Sequence, residues 1–123
     1  MKLLLVEDDP DIQLVARAAL KRAGFTVTAL PTGAAALQRV RIDRPDVILL
    51  DWMMPEMDGP EVCERLKRDP DTVDIPVIFL TACSQQAEID RGLALGAVGY
   101  LTKPFDALAL GTQVREMLDR RCR

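Results

Sequence analysis

Short runs of consecutive apolar residues alternate along this chain with longer segments in which apolar residues recur every three or four positions. Short apolar runs bounded by turn residues are typical of strands buried within a parallel sheet. We predict three clear strands and two weaker ones, at Leu3–Val6, Val47–Leu50 and Val77–Leu80 and at Phe25–Leu30 and Gly99–Leu101.

The longer segments have the apolar spacing of amphipathic helices. We predict five of them, at Pro10–Ala23, Gly33–Arg41, Pro60–Arg68, Gln85–Leu95 and from Asp106 to about Arg121. Asp9 is the expected N-cap of the first helix and Ser84 that of the fourth, because their side chains accept hydrogen bonds from the first helical turn. The spacing also predicts that Val15 is buried in the first helix and Leu108 in the fifth.

A strand followed by a helix, repeated five times, predicts an α/β fold with a parallel sheet covered on both faces. The chain has 123 residues, which is the size of one domain, and we expect residues 1–123 to form it. For a (βα)5 chain the common arrangement is a flavodoxin-like, doubly wound sheet of five parallel strands in the order 2-1-3-4-5.

Composition excludes several classes of function. The chain has no histidine, and its three cysteines, Cys63, Cys83 and Cys122, have spacings unlike those of zinc sites. We expect reduced thiols, no signal peptide and a cytoplasmic protein. The net charge of −3, without a basic run in the body of the chain, argues against direct nucleic-acid binding. No apolar run is long enough to span a membrane.

Polar residues follow the predicted strands at the point where each strand ends. Glu7 and Asp8 follow the first strand, Asp51 the third, Thr81 the fourth and Lys103 the fifth. Ligands of open α/β sheets bind at this edge, and neighbouring strands lie about 4.8 Å apart. The strand order therefore predicts a row of Asp8, Asp51 and Thr81, with Lys103 long enough to reach Asp51 from two strands away.

Several carboxylates in so small a space repel one another unless a cation lies among them. Mg²⁺ prefers oxygen ligands and commonly binds one or two carboxylates together with phosphate oxygens. The row therefore predicts a magnesium site beside a phosphoryl group. Asp51 is the expected nucleophile that forms an aspartyl phosphate, and Thr81 and Lys103 are expected beside the phosphoryl oxygens.

Other interpretations of the same residues exist. An acidic residue at a strand end commonly does no more than cap the next helix. A phosphohydrolase of the haloacid-dehalogenase type needs Asp-x-Asp after its first strand, whereas here the nucleophile follows the third strand and position 53 is Met. An interaction module that works without phosphorylation would lack one of the acidic residues, Thr81 or Lys103. Flavin binding needs a phosphate loop rich in glycine and hydroxyl groups, which Pro10 and Asp11 do not supply.

The chain resembles the CheY-like receiver domain of two-component response regulators over essentially its whole length. The resemblance is carried by five segments, Leu3–Asp9, Pro45–Asp51, Met54–Gly59, Pro76–Ala82 and Gly96–Phe105. It implies that Asp51 accepts a phosphoryl group from a phosphohistidine on a sensor histidine kinase or a histidine phosphotransfer protein. It also implies that the domain is not an enzyme acting on a metabolite, although it assists its own phosphorylation and dephosphorylation.

The same resemblance assigns the ligands of the ion. Asp8, Asp51 and the backbone carbonyl of Met53 would bind Mg²⁺, and Glu7 would act through a metal-bound water. Lys103 would pair with the phosphoryl oxygens, and its peptide bond to Pro104 would be cis.

The resemblance further implies a switch. The Thr81 hydroxyl would move towards the phosphoryl group, and Tyr100 would then rotate inward. The face built from the fourth helix, fifth strand and fifth helix would change its affinity for a downstream protein target or a fused output domain. Val98 and Gly99 replace the acidic pair of many DNA-binding regulators, which argues against their salt-bridged dimer.

Three further questions stay open at this stage. The chain is either a single-domain regulator or a receiver excised from a longer one. It is either a monomer or a phosphorylation-dependent dimer. Met53 and Cys83, which are not strongly polar, predict a slow to moderate loss of the phosphoryl group.

Overall fold

The computed structural model describes residues 1–82 and 85–121, and over these residues strands and helices alternate from end to end. The strands are β1 (Lys2–Val6), β2 (Thr26–Leu30), β3 (Val47–Asp51), β4 (Val77–Thr81) and β5 (Gly99–Thr102). The helices are α1 (Pro10–Arg22), α2 (Gly33–Asp43), α3 (Gly59–Arg68), α4 (Gln86–Ala94) and α5 (Leu110–Arg121). The strands are parallel in the order β2-β1-β3-β4-β5, which confirms the predicted flavodoxin-like α/β fold.

Alternate residues of the central strands point to opposite faces of the sheet, as strand geometry requires. Leu3 and Leu5 of β1 pack in a cluster with apolar residues of α1 and α5. Leu4 and Val6 pack in a second cluster with apolar residues of α2 and α3. Because both faces are covered by helices, the strand ends and the loops that follow them are where a ligand is expected to bind.

The beginning of α1 is capped as predicted. The Asp9 side chain accepts hydrogen bonds from the backbone N–H groups of Asp11 and Ile12. Gly24 follows the helix with a φ of +100°, a conformation that favours glycine. Val15 is 50% exposed, so its predicted burial is wrong. The reason is that Val15 lies at the border of a narrow stripe in which Ala16, Ala19 and Leu20 fill the contact with the sheet.

Other helix ends differ from the prediction. Helix α2 continues to Asp43 and ends where Arg44 adopts a left-handed φ of 45°. The N-cap of α4 is Gln85, whose side chain makes no capping hydrogen bond. The expected cap, Ser84, lies outside the described residues, as do Cys83, Cys122 and Arg123.

Helix α5 begins at Leu110 rather than at Asp106. The Asp106 side chain accepts a hydrogen bond from the Leu108 N–H, and its carbonyl accepts one from Ala109, so the chain makes a turn before the helix starts. Leu108 lies in this turn and is 84% exposed, which makes its predicted burial wrong. Leu110 and Val114 form the buried contact instead.

Among the described cysteines, Cys63 is a buried free thiol, and burial raises its pKa to about 11. In the part of the chain that the structure describes, no helix has the length and apolar character needed to cross a bilayer.

Candidate acidic site

The predicted site residues lie together at the carboxyl edge of the sheet. Asp51 is the last residue of β3 and Thr81 the last residue of β4. The ladder continues one step beyond β3, where the Trp52 N–H donates to the Leu80 carbonyl at 2.9 Å. The cleft at this edge has a volume of about 370 Å³, and its lining includes Glu7, Asp8, Asp51, Met53, Thr81 and Lys103. The structure therefore brings together the residues that the sequence assigned to the site, except Tyr100.

Three carboxylates form the base of this cleft. Glu7, Asp8 and Asp51 each place one oxygen within 4.8 Å of the others. Glu7 is fully buried and Asp51 is 4% exposed, whereas Asp8 is exposed to solvent. Within the described residues, Glu7 Oε2 is buried and has no hydrogen-bond partner. An orphaned carboxylate oxygen beside two further carboxylates is an arrangement that a divalent cation fits, because oxygen ligands suit hard cations.

Lys103 binds two of the three carboxylates. Its Nζ donates to Glu7 Oε1 at 2.8 Å and to Asp51 Oδ1 at 3.0 Å, and its side chain is 15% exposed. Burial lowers the pKa of Lys103, but the hydrogen bonds to Glu7 and Asp51 outweigh this effect and leave the pKa above its usual value. The contact between Lys103 and Asp51 confirms the predicted reach of the lysine, and the peptide bond to Pro104 is cis.

The ion pair between Glu7 and Lys103 was not among the predicted contacts. A usable signal existed, because Glu7 continues the alternation of Leu3 and Leu5, whose side chains are buried on one face of the sheet. An acidic residue in that position needs a cationic partner when it is buried.

One lysine does not neutralise three carboxylates. The pKa of Asp51 is raised to about 6, mainly by burial and also by the neighbouring Glu7 carboxylate, while the hydrogen bond from Lys103 acts against both. Burial and the contact with Asp51 also raise the pKa of Asp8. The metal-free site is therefore electrostatically strained at neutral pH, which favours the binding of a cation.

This strain has a measurable consequence for stability. The folded-state pKa of Asp51, about 6, lies above the usual 3.8, so between these values the folded protein holds more protons than the unfolded chain. Stability is therefore expected to fall as pH rises through this window and to stay low above it. We expect Asp51→Asn to raise the free energy of unfolding at pH 8 by about 2 kcal/mol.

Urea denaturation in EDTA at pH 4 and pH 8 measures this effect. The gain should be much smaller at pH 4, where the wild-type carboxyl is largely protonated in the folded state. Asp71→Asn is the control, because Asp71 is exposed in the turn that precedes β4, at the opposite edge of the sheet. A gain of the same size at both pH values would contradict the argument.

The backbone between β3 and α3 holds the end of β3 in position. The Gly59 N–H donates to the Trp52 carbonyl at 2.9 Å. A Cβ at Gly59 would lie 2.3 Å from the Asp51 carbonyl oxygen, so only glycine permits this approach. Met53 lies between them in the chain and is 76% exposed at the cleft.

Thr81 and Tyr100 are the residues assigned to a switch. Thr81 is 5% exposed and lines the acidic cleft. Tyr100 lies on β5 opposite Phe79 of β4 and is 37% exposed, so in this structure its side chain is partly open to solvent.

The comparisons with known proteins agree with this geometry. The family model for the response regulator receiver domain matches residues 3–115. The chain is 46% identical over 117 residues to the transcriptional regulatory protein CseB of Streptomyces coelicolor, covering 95% of this chain and 49% of that protein. It is 40% identical over 119 residues to the phosphate regulon transcriptional regulatory protein PhoB of Rhizobium meliloti, covering 97% of this chain and 52% of that protein. The chain thus spans about half the length of these curated relatives.

Solved structures show the same similarity over the full fold. Chemotaxis protein CheY4 of Vibrio cholerae superimposes with a TM-score of 0.89 at 30% identity, covering 94% of this chain and 97% of that one. The receiver domain of the Francisella response regulator 1452 gives a TM-score of 0.87 at 32% identity, covering 98% of each chain. The chain belongs to the response regulator receiver domain family, a family of signalling domains in two-component systems.

Proposed function

We propose that residues 1–123 form a phospho-accepting receiver module in which Asp51 takes a phosphoryl group from a phosphohistidine. The observation that carries this proposal is the position of the Asp51 carboxylate. It lies at the base of an open cleft, within hydrogen-bond distance of Lys103 and next to two further carboxylates.

In the transfer step, an Asp51 carboxylate oxygen attacks the phosphorus of the donor. The new P–O bond makes an acyl phosphate, and the P–N bond breaks with its electron pair leaving on the histidine nitrogen. Lys103 then donates hydrogen bonds to the phosphoryl oxygens and offsets part of their charge, which is about −2.

The residues present fit a magnesium ion. Asp8, Asp51 and the backbone carbonyl of Met53 would hold it, and Glu7 would contact it through a water at its orphaned oxygen. When bound, Mg²⁺ neutralises the carboxylates and the charge on the phosphoryl oxygens. Lys103 holds the carboxylates of Glu7 and Asp51 in position for the magnesium ion and for the phosphoryl group.

Phosphorylation then shifts the population of two states of the domain. The Thr81 hydroxyl moves to the phosphoryl oxygens and Tyr100 turns inward. The face built from α4, β5 and α5 changes its affinity for a downstream protein target or a fused output domain. The domain assists its own phosphorylation and dephosphorylation and has no metabolite substrate.

The phosphodonor is a sensor histidine kinase or a histidine phosphotransfer protein in the cytoplasm. The receiver itself contacts neither nucleic acid nor membrane. The relatives named above are transcriptional regulators about twice as long, which supports a fused output domain. The alternative is a single-domain regulator. The receiver is either a monomer or a dimer that forms on phosphorylation.

Phosphotransfer from a panel of labelled histidine kinases tests the proposal. We expect wild type to take up label that hydroxylamine removes, and Asp51→Asn to take up none. Asp46→Asn is the matched control, because Asp46 lies before β3 at the opposite edge of the sheet and accepts a hydrogen bond from the Lys2 N–H. Label retained by Asp51→Asn would overturn the proposal, and so would calorimetry that detects no Mg²⁺ binding to wild type.

Trp52 gives a second measurement, because it is the only tryptophan and lines the acidic cleft. Its emission is expected to change when Mg²⁺ is added and again when beryllofluoride, a mimic of the phosphoryl group, is added. A folded protein whose emission changes in neither step would count against the site.

Met53→Asn is expected to shorten the lifetime of the phosphoryl group by about tenfold, the effect of one hydrogen bond that orients the attacking water. The Met53 side chain is exposed at the cleft, and its thioether is at most a weak acceptor and cannot donate a hydrogen bond to a water there. Loss of label from the isolated phosphorylated protein measures the lifetime. Ile42→Asn is the control, because Ile42 is 78% exposed on α2. An unchanged lifetime in Met53→Asn would discard the idea.

A further inference from the structure

A second recess lies beside the acidic cleft, between α4 and strands β4 and β5. It is small in this structure, with a volume of about 10 Å³, and its walls include Trp52, Phe79, Thr81, Glu88, Gly92 and Tyr100. Thr81 and Trp52 also line the acidic cleft. The two spaces therefore share a wall, and a movement of Thr81 changes both.

The recess contains a polar group that the proposed phosphorylation chemistry does not use. Glu88, in the first turn of α4, has a buried Oε2 without a hydrogen-bond partner in the described part of the chain. No ion pair to Glu88 is present among the described residues. A buried carboxylate oxygen without a donor is unfavourable. A conformation that supplies a donor is therefore stabilised by the hydrogen bond that this conformation does not make.

Three side chains that line the recess carry a hydrogen-bond donor that could serve Glu88 Oε2, those of Trp52, Thr81 and Tyr100. Trp52 turns its six-membered ring towards α4, where its Cζ3 would lie 3.3 Å from a Cβ at Gly92, and the indole N–H is on the other ring. Thr81 lines both spaces, but in the proposed active state its hydroxyl lies at the phosphoryl oxygens and so does not serve Glu88. Tyr100 is at the rim of the recess, 37% exposed, and carries a phenolic O–H.

We propose that Glu88 is a positioning residue that accepts a hydrogen bond from the Tyr100 hydroxyl when the tyrosine ring turns into the recess. The inference rests on the proposed phosphorylation switch and names the group that holds its active state. A hydroxyl donating to a carboxylate forms a strong, charge-assisted hydrogen bond. The contact satisfies the orphaned oxygen only in the inward state, so it shifts the population towards that state.

A double-mutant cycle on beryllofluoride binding tests the proposal. Apparent affinity is measured in excess Mg²⁺ from Trp52 emission for wild type, Tyr100→Phe, Glu88→Leu and the double variant. Each single substitution is expected to weaken binding by about tenfold, because it lowers the population of the binding-competent state. The double variant should bind no more weakly than either single one.

A conservative variant and a stability measurement separate positioning from a structural role. Glu88→Gln keeps an acceptor oxygen and should bind beryllofluoride within about threefold of wild type. Glu88→Leu removes the orphaned oxygen, so its unliganded form should unfold at a urea concentration no lower than that of wild type.

Three outcomes would overturn the inference. One is an equal loss of affinity from Glu88→Leu in the wild-type and Tyr100→Phe backgrounds. Another is a loss in Glu88→Gln as large as that in Glu88→Leu. The third is Glu88→Leu binding as tightly as wild type. If wild type itself gives no beryllofluoride response that Asp51→Asn abolishes, the proposed function fails first and this inference fails with it.

Discussion

Replacing Lys103 with methionine is expected to lower the free energy of unfolding by about 3 kcal/mol at pH 8 in the absence of Mg²⁺. Lys103 Nζ is 2.8 Å from Glu7 Oε1 and 3.0 Å from Asp51 Oδ1. Without it, three carboxylates face one another with no cation, and one of them is fully buried. Phosphotransfer to Asp51 should fall as well, because no ammonium group meets the phosphoryl oxygens.

The pH dependence identifies the cause. Loss of the lysine raises the folded-state pKa values of Asp51 and Asp8 further, so the destabilisation should be large at pH 8 and small at pH 4, where protonation relieves the repulsion. Urea denaturation at both pH values measures it. Lys21→Met is the control, because Lys21 is exposed on α1 and its loss should change stability by no more than about 0.5 kcal/mol. A deficit independent of pH would mean that Lys103 contributes through packing alone.

Gly59→Ala is expected to destabilise the fold by about 3 kcal/mol and to slow phosphotransfer by about a hundredfold. The new Cβ would lie 2.3 Å from the Asp51 carbonyl oxygen and 3.0 Å from the Trp52 Cα. Both neighbours are backbone atoms, so no rotamer change relieves the contact, and the end of β3 must move. That movement displaces the Asp51 carboxylate from Lys103.

Gly111→Ala is the matched control for this variant. Its Cβ would lie 2.3 Å from the Ala23 Cβ, at the contact between α5 and the end of α1. We expect a similar loss of stability, measured by urea denaturation, and an unchanged rate of labelling per folded molecule. If Gly59→Ala also labelled at the wild-type rate per folded molecule, Gly59 would matter for packing and not for the position of Asp51.

The sheet was predictable because its signal is local and strong. Runs such as Val47–Leu50 are apolar at every position, and only strands covered on both faces need that. The helix contacts were less predictable, because burial depends on which neighbour covers a residue. Leu108 has the apolar character of a core residue but lies in a turn, and Leu110 takes the core position.

The assembly of the site was predictable because it follows from the strand order, which was itself predictable. Asp51, Thr81 and Lys103 each follow a strand, and a parallel sheet brings these ends to one edge. The pairing of Lys103 with Glu7, and the burial of Glu88 Oε2, depend on side-chain reach and on the packing of α4.

Strand β5 has four residues, and Tyr100 and Lys103 lie three positions apart along it and its exit. At most about 11 Å of backbone therefore separates the lysine proposed to contact the phosphoryl group from the tyrosine proposed to change the partner-binding face. The two proposed functions, phosphoryl recognition and partner binding, would therefore share one short strand at the edge of the sheet. Substitutions around Tyr100 could change the partner. So short a segment, however, leaves almost no position at which phosphoryl recognition and partner binding could vary independently.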